Sequence, residues 1–377
     1  MNAPLRHPVL AERERRRSEI VPLRDYLAHP DTSWDAVAAR ASEPNAFAER
    51  WFVEASVRHL DVPADARMLI VRAEDQLIGM MPIIIAPKYG RMPVRHVENW
   101  MHYNSFFGAP LVRRSFETYF WHRALDLLDA DSTAPAFLHL VALDGHGPLA
   151  QALLRARKGS AVVHRSTRAM LQSDLTPTEY YETTVRKKKR KEIGRLQHRL
   201  AETGSVNFNR LSNAGDIDMW IDAFLALEAS GWKGRDGAAL ANARDTEGFV
   251  RDAMRGAFAA GRLEIIRLDV DGRVIAMLVN FLTAPGSFSF KIAFDEEFAR
   301  FSPGVLIQLE NLKILETPQI DWMDSCAVED HPMINSLWGE RREIVRISVP
   351  LKGKRRRATF AACRALETAS ALVRRAI

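Results

Sequence analysis

Between Leu263 and Glu316 three strand-like runs lead through turns into a helix start, an order few folds accommodate. Ile265–Leu268 is a short apolar, β-branched run, Asp271-Gly272 is a hairpin-type turn, and Val274–Leu282 is a second run. Pro285-Gly286-Ser287 then turns the chain into Phe288–Phe294, where Phe288, Phe290, Ile292 and Phe294 alternate with Ser289, Lys291 and Ala293. That alternation predicts an antiparallel meander with one buried face. In ARFSPGVLIQLENLKILE, which follows, Ser302 is the expected N-cap, Pro303 the first helical residue, and Leu306, Leu309, Ile314 and Leu315 the apolar stripe. Unpaired N–H groups and the positive end of the helix dipole would face outward there, with Gly304 letting a phosphate approach the backbone. A further strand is expected at Ile320–Met323.

A chain of 377 residues should hold about two domains. Its longest apolar run, Leu77–Pro87, is too short to span a bilayer, and no signal-type apolar stretch follows the first Met. The expected location is therefore the cytoplasm. Cys326 and Cys363 are the only cysteines, which agrees with a reducing compartment and excludes a disulfide scaffold. The histidines show no metal-ligand spacing and no Walker or dinucleotide loop is present, so no metal is expected. The net charge of +6 is concentrated at the C-terminus, where residues 352–377 carry eight Lys and Arg against Glu367 alone. A second basic cluster, RKKKRKEIGRLQHR, occupies 186–199.

Two halves share a pattern. Met68–Val71, a turn at Ala73-Glu74-Asp75 and Leu77–Ile85 repeat the order of the later hairpin, and each hairpin follows a helical segment, Phe47–His59 or Ile217–Leu227. The expected organisation is a charged N-terminal tail (1–30), a first unit (31–176), a basic connecting helix (177–204), a second unit (205–350) and a tail helix (351–377). Leu196, Leu200 and Ala201 give the connector only a narrow apolar stripe, so a solvated bridging helix is preferred to a ligand-binding one. It lacks the interleaved aromatics of a single-strand nucleic-acid platform, and nucleic acid is not the expected partner. On the tail, Ala358, Ala362, Ala365, Leu366, Ala369, Leu372, Val373, Ala376 and Ile377 fall on one side and most basic residues on the other. Such a helix fits either an anionic membrane surface or docking on the protein's own body.

KIAFDEEFARFSPG (291–304), LEASGWKG (227–234) and HPMINSLWGERR (331–342) resemble the GNAT superfamily of N-acyltransferases, in its two-domain CelD/BcsL-like branch. That branch includes bacterial ceramide-forming N-acyltransferases, and the chain is more distantly similar to Fem-type aminoacyl transferases. The likeness covers about Ser33 to Pro350 and is most specific from Phe224 to Arg342. One departure is plain: the Arg/Gln-x-x-Gly-x-Gly/Ala phosphate loop of simple GNATs is replaced by Ala299-Arg300-Phe301-Ser302-Pro303-Gly304.

The resemblance implies an α+β fold of two tandem GNAT-like units, each a mixed, mostly antiparallel sheet with flanking helices, joined by the basic helix. It implies an acyl-CoA donor held by Lys291, Ala293, Phe294, Arg300, Ser302, Pro303 and Gly304, with a backbone N–H of Lys291–Phe294 polarising the thioester carbonyl. A base must take the ammonium proton of the acceptor. Asp295, Glu296, Asp324, Asp330 and His331 are candidates, with His331 preferred for its unperturbed pKa and Asp324 placed to orient it or to pair with the amine. Glu228, Trp232 and Lys233 line the acceptor side by the same resemblance, and Tyr103 and Asn104 of ENWMHYNSFFGAP form a further polar loop beside Asn99. Cys326 is read as a small core residue, so transfer is expected to be direct.

The expected activity is N-acylation of a primary amine, preferably a sphingoid-type lipid amine at the inner face of the cytoplasmic membrane. The alternatives are an amino sugar of exopolysaccharide or cellulose synthesis, a Fem-type transfer from aminoacyl-tRNA, and a non-catalytic scaffold.

Overall fold

The computed structural model describes residues 17–29 and 33–376, and for Trp232, Lys233 and 369–376 it describes the backbone alone. The strands run, in chain order, β1 (Glu19–Pro22), β2 (Arg67–Ala73), β3 (Gln76–Ala86), β4 (His96–Asn99), β5 (Leu111–Val112), β6 (Phe137–Asp144) and β7 (Ala161–Leu171). They continue with β8 (Val206–Arg210), β9 (Leu263–Val270), β10 (Arg273–Thr283), β11 (Gly286–Phe294), β12 (Trp322–Asp324) and β13 (Glu340–Pro350). The principal helices are α1 (Arg50–His59), α2 (Glu117–Ala130), α3 (Lys187–Ala201), α4 (Ile217–Ser230), α5 (Arg244–Ala259), α6 (Pro303–Glu310), α7 (Pro332–Asn335) and α8 (Lys354–Ala376).

The chain divides into two compact units. The first is Met1–Glu49, Val62–Arg165 and Glu343–Ile377, and the second is Arg50–Asp61 and Ser166–Arg342. Each is a mixed, mostly antiparallel sheet with flanking helices, so the chain is of the α+β class with two units of similar plan.

In the first unit the strand order is β1-β2-β3-β4-β6-β13, with β4 and β6 parallel and β5 paired to β3. Helix α2 buries Phe120, Trp121, Ala124, Leu125 and Leu128. The tail helix α8 docks on this unit. Phe360 and Cys363 pack with Tyr89 and Phe137, and Arg356 donates to the carbonyls of Asp129 (3.1 Å), Asp131 (2.6 Å) and Ala134 (2.9 Å). The helix docks through the side that carries Arg356, Phe360 and Cys363, whereas Ala358, Ala362, Ala365 and Leu366 of the stripe expected from the sequence are exposed. Leu372 and Val373 of the expected stripe lie outside the described side chains, as Ile377 and the charged segment up to residue 16 lie outside the described residues.

The second unit orders the end of β7, then β12-β11-β10-β9-β8, with β11 and β12 parallel. Asp271 and Gly272 both take positive φ in the β9–β10 turn, at 49° and 81°. The meander differs from the one-faced sheet expected, because Ser287 and Ser289 are buried along with Phe288 and Phe290. Helix α1 is one reason. It comes from sequence expected in the first unit, yet Phe52 packs edge-on against Phe249 (centroids 5.3 Å apart) and Trp51 against Phe281 (4.9 Å). Asp252 of α5 accepts from Arg58 (2.6 Å) and pairs with His59 (2.8 Å). Two glycines of α5 permit the approach: a Cβ on Gly248 would stand 2.5 Å from the His59 ring, and one on Gly256 2.9 Å from the Trp51 Cβ. The basic helix α3 is also part of this unit, with Ile193 and Leu200 buried in its core.

Candidate active site

Strand β11 is bent by a bulge. Val279 pairs with Lys291 but the next residue, Asn280, pairs with Ser289, so Phe290 is the extra residue. On its other edge β11 pairs with β12 only through Gly286, Ser287 and Phe288, and β12 ends at Asp324. Among the described residues no strand flanks Ile292–Phe294 on that side, which leaves a main-chain edge where an extended ligand can lie as an added strand.

At this end of β11 a small cleft of about 30 Å³ is lined by Leu227, Glu228, Gly231, Ile292, Ala293, Phe294 and Glu296. Glu228 stands in the last turn of α4, is 4% exposed, and accepts the Leu240 N–H at 2.9 Å. Glu296 opens the 3-10 turn after β11 and pairs with Arg235 at 2.7 Å. The cleft therefore brings Glu228, Ala293, Phe294 and Glu296 of the expected residues together. Leu227, Gly231 and Ile292 were not singled out in sequence, though all three lie in or beside the quoted motifs. Trp232 and Lys233 follow Gly231 directly in a short helix, and their side chains lie outside the described set.

The expected phosphate site differs from the sequence reading. Ser302 is the N-cap of α6, but in a left-handed conformation (φ 53°) and without a side-chain cap, its carbonyl accepting from Val305 at 2.9 Å. Pro303 holds the first position as expected, yet both Pro303 and Gly304 are buried. A Cβ at Gly304 would meet Met333 Sδ at 3.5 Å and Ile292 Cδ1 at 3.6 Å, so α7 and β11 cover the helix start instead of leaving it open. Lys291 lies over the Phe290 ring at 5.6 Å and Arg300 over the Phe301 ring at 4.7 Å.

Three proposed proton-handling groups are occupied by structural tasks. Asp295 accepts the Glu297 N–H at 3.0 Å, capping the turn, and pairs with Arg273. His331 caps α7, its Nδ1 accepting from Ile334 at 3.5 Å. Asp324 is completely buried and held by Arg168 Nε (2.8 Å), Arg342 Nη1 (3.0 Å) and the Cys326 N–H (2.9 Å). With its oxygens committed to two guanidiniums it is a buried counter-ion and not an orienting partner of His331. Arg342 belongs to a quoted motif, but Arg168 lies too far away in sequence for the trio to be seen there. Burial, and next the Asp324 carboxylate, push the Cys326 thiol well above its usual range, which argues against a thiolate nucleophile.

Tyr103 and Asn104 belong to the first unit, where Tyr103 is 68% exposed and Asn104 fully buried. No group of three or more potential metal ligands occurs among the described residues, and no described helix is long and apolar enough to cross a membrane.

Residues 187–330 match the family model of the acetyltransferase (GNAT) domain, so the second unit carries a GNAT-type acetyltransferase domain. Among solved structures the chain is similar to FemX, with a TM-score of 0.56 and 12% identity over 86% of this chain and 97% of that one. It is similar to a conserved protein of unknown function from Bacteroides thetaiotaomicron VPI-5482, with a TM-score of 0.55 and 11% identity over 86% and 97% of the two chains. A third is a C-terminal domain (DUF2156) from Agrobacterium fabrum assigned to lysylphosphatidylglycerol synthetase, at 0.51 and 12% identity over 96% of each chain. At these identities the likeness is one of fold. Curated protein sequences give no match.

Proposed function

We propose that the second unit transfers an acyl group from a CoA thioester to a primary amine. The observation that carries this reading is the cleft that Ala293 and Phe294 of β11 line together with Glu228 and Glu296. A backbone N–H of β11 polarises the thioester carbonyl as the pantetheine chain lies along the unflanked edge. The two carboxylates attract the acceptor as its ammonium ion. Glu228, which replaces His331 as the assigned base, takes one ammonium proton directly or through a water. The neutral amine then adds to the carbonyl carbon, and the tetrahedral adduct collapses with cleavage of the C–S bond. The departing CoA thiolate takes up the second proton released from the adduct nitrogen, giving the neutral amide and free CoA. Cys326 forms no bond in this sequence.

The acceptor is assigned to the lipid amines of sphingoid type, because Leu227, Ile292 and Phe294 give the cleft hydrocarbon beside its carboxylates. Free-thiol release by the purified chain, with product mass read alongside, tests both assignments. Release with palmitoyl-CoA and a sphingoid base is the expected result. Release only with acetyl-CoA and an amino sugar would move the acceptor to polysaccharide chemistry. No release with any pair would overturn the CoA donor and turn attention to aminoacyl-tRNA or to a scaffold.

A further inference from the structure

Helix α3 concentrates positive charge in a unit that is otherwise acidic. It carries seven Lys and Arg against Glu192 alone, whereas the rest of the second unit has an excess of Asp and Glu. Ile193 and Leu200 fix one side of α3 in the core. Lys187, Lys188, Lys191, Arg195, His198 and Arg199 are exposed, and of the helix's apolar side chains only Ala201, its last residue, is.

Charge neutralisation within the fold is confined to the flanks. Lys189 pairs with Glu192, and Arg190 donates to the Val185 carbonyl at 3.1 Å. Lys188, Lys191, Arg195 and Arg199 have no ion-pair partner among the described residues. At the rise of an α-helix these four span about 16 Å. In their midst Lys188, Lys191, Gly194, Arg195 and His198 line an open depression. A glycine inside a helix costs about 1 kcal/mol relative to alanine, and no packing demands Gly194, since a Cβ there would meet nothing within 4 Å. Its effect is to let an anionic oxygen come close to the helix between the cations.

We infer that the outer face of α3 is a docking surface for an anionic phospholipid membrane, on which the second unit rests while it acylates its acceptor. The inference deepens the lipid-amine reading of the cleft, since an acceptor held in a bilayer must be met at its surface. The chemistry of the face favours this partner over nucleic acid. Three of the five exposed Lys and Arg of this face are lysines, which act as point charges on a diffuse anionic surface, where nucleic-acid readers favour the planar fork of arginine. Helix α3 itself carries no Phe, Tyr or Trp to serve as a stacking platform. A flat surface touching one stripe also avoids the acidic remainder of the unit, which a strand wrapping around it would meet. The tail helix is a separate element of the first unit, packed on it through Phe360 and Cys363.

The test is co-sedimentation of the full chain with phosphatidylcholine vesicles, with and without phosphatidylglycerol, in the absence of substrates. Binding that requires phosphatidylglycerol and weakens with salt is expected. The Lys188→Glu/Lys191→Glu/Arg195→Glu variant should lose about 100-fold or more in partitioning, and the corresponding triple glutamine variant should lose less, each with an unchanged melting temperature. Thiol release with a water-soluble amine should be the same in all three proteins. Equal partitioning of variant and parent, equal binding to vesicles lacking phosphatidylglycerol, or tighter retention on duplex RNA than on vesicles would each overturn the assignment. Because vesicle binding is read without turnover, its failure is distinct from failure of the acyltransfer reading.

Discussion

Replacing Asp324 by alanine separates a structural from a chemical role for the carboxylate that looks most catalytic in sequence. Its side chain is fully buried, and those of Arg168 and Arg342 are 9% and 5% exposed. Removing the carboxylate leaves two guanidiniums without their counter-ion and the Cys326 N–H without its acceptor. Breaking a buried ion pair in this way costs about 3–5 kcal/mol. In a domain of this size each kcal/mol lowers the melting temperature by about 2–4 °C. The second unit should therefore melt about 6–20 °C below the parent. Circular dichroism melting, with thiol release measured well below the transition, is the assay. A triple variant, Arg168→Met/Asp324→Leu/Arg342→Met, should recover much of the loss, since replacing all the charges together removes the uncompensated ones. A variant that melts within about 2 °C of the parent while losing turnover would refute the structural account and return Asp324 to the chemistry.

Glu228→Gln keeps an oxygen for the Leu240 N–H, so the fold should hold while kcat falls about 100-fold or more, with partial recovery at higher pH where the amine is already neutral. Arg356→Ala should lower the stability of the first unit by about 2–3 kcal/mol through the loss of charge-assisted bonds to three carbonyls; an unchanged denaturation midpoint would mean that α8 is held by Phe360, Cys363 and the Tyr89–Glu367 hydrogen bond without Arg356. His139 gives a pH signature. Burial, then the nearby His96 and Arg346, lower its pKa from 6.5 to about 3 in the folded unit, so between those values the unfolded chain binds the extra proton. Stability should be complete above pH 6.5 and fall with pH below it, by up to about 1.4 kcal/mol per pH unit, and His139→Gln should flatten that slope in melts.

The meander and the helix after it were legible because strand and helix periods differ and the Asp271-Gly272 turn has its own chemistry. The family likeness pointed to the end of β11, where Glu228, Ala293 and Phe294 meet. Other features were not legible for identifiable reasons. The apolar stripe of α1 says that the helix packs but not on what, and Gly248 and Gly256 were the only hint that α5 would receive it. The tail pattern served a membrane and a protein surface equally, and the helix docks through Arg356 and Phe360, on the side away from the alanine-rich stripe. The Ser-Pro-Gly start of α6 read as an open anion site because nothing local announces that Met333 will lie against Gly304.

The duplicated plan also explains why chemistry is assigned to one unit. In the first unit β4 pairs in parallel with β6 through Val97–Leu138 and Glu98–His139, the counterpart of β11 beside β12. There the ladder is carried on by a side chain: Asn99 accepts the Val141 N–H at 2.8 Å and donates to the carbonyls of Val141 (3.1 Å) and Gly108 (2.9 Å). The loop after β4 closes over this bridge, with the Gly108 N–H bound to Ala142 at 2.8 Å. Contact is so close that a Cβ on Gly108 would fall 2.1 Å from the Val141 carbonyl. The edge that could receive an extended ligand is thus occupied by the chain itself, and displacing it would leave the buried Asn99 amide and two backbone groups unpaired. At the corresponding place in the second unit, no described strand flanks Ile292–Phe294, and Glu228 and Glu296 help line the cleft beside them. The same strand order therefore yields a sealed edge in one unit and an unflanked one in the other, and the difference turns on one asparagine and the loop it holds.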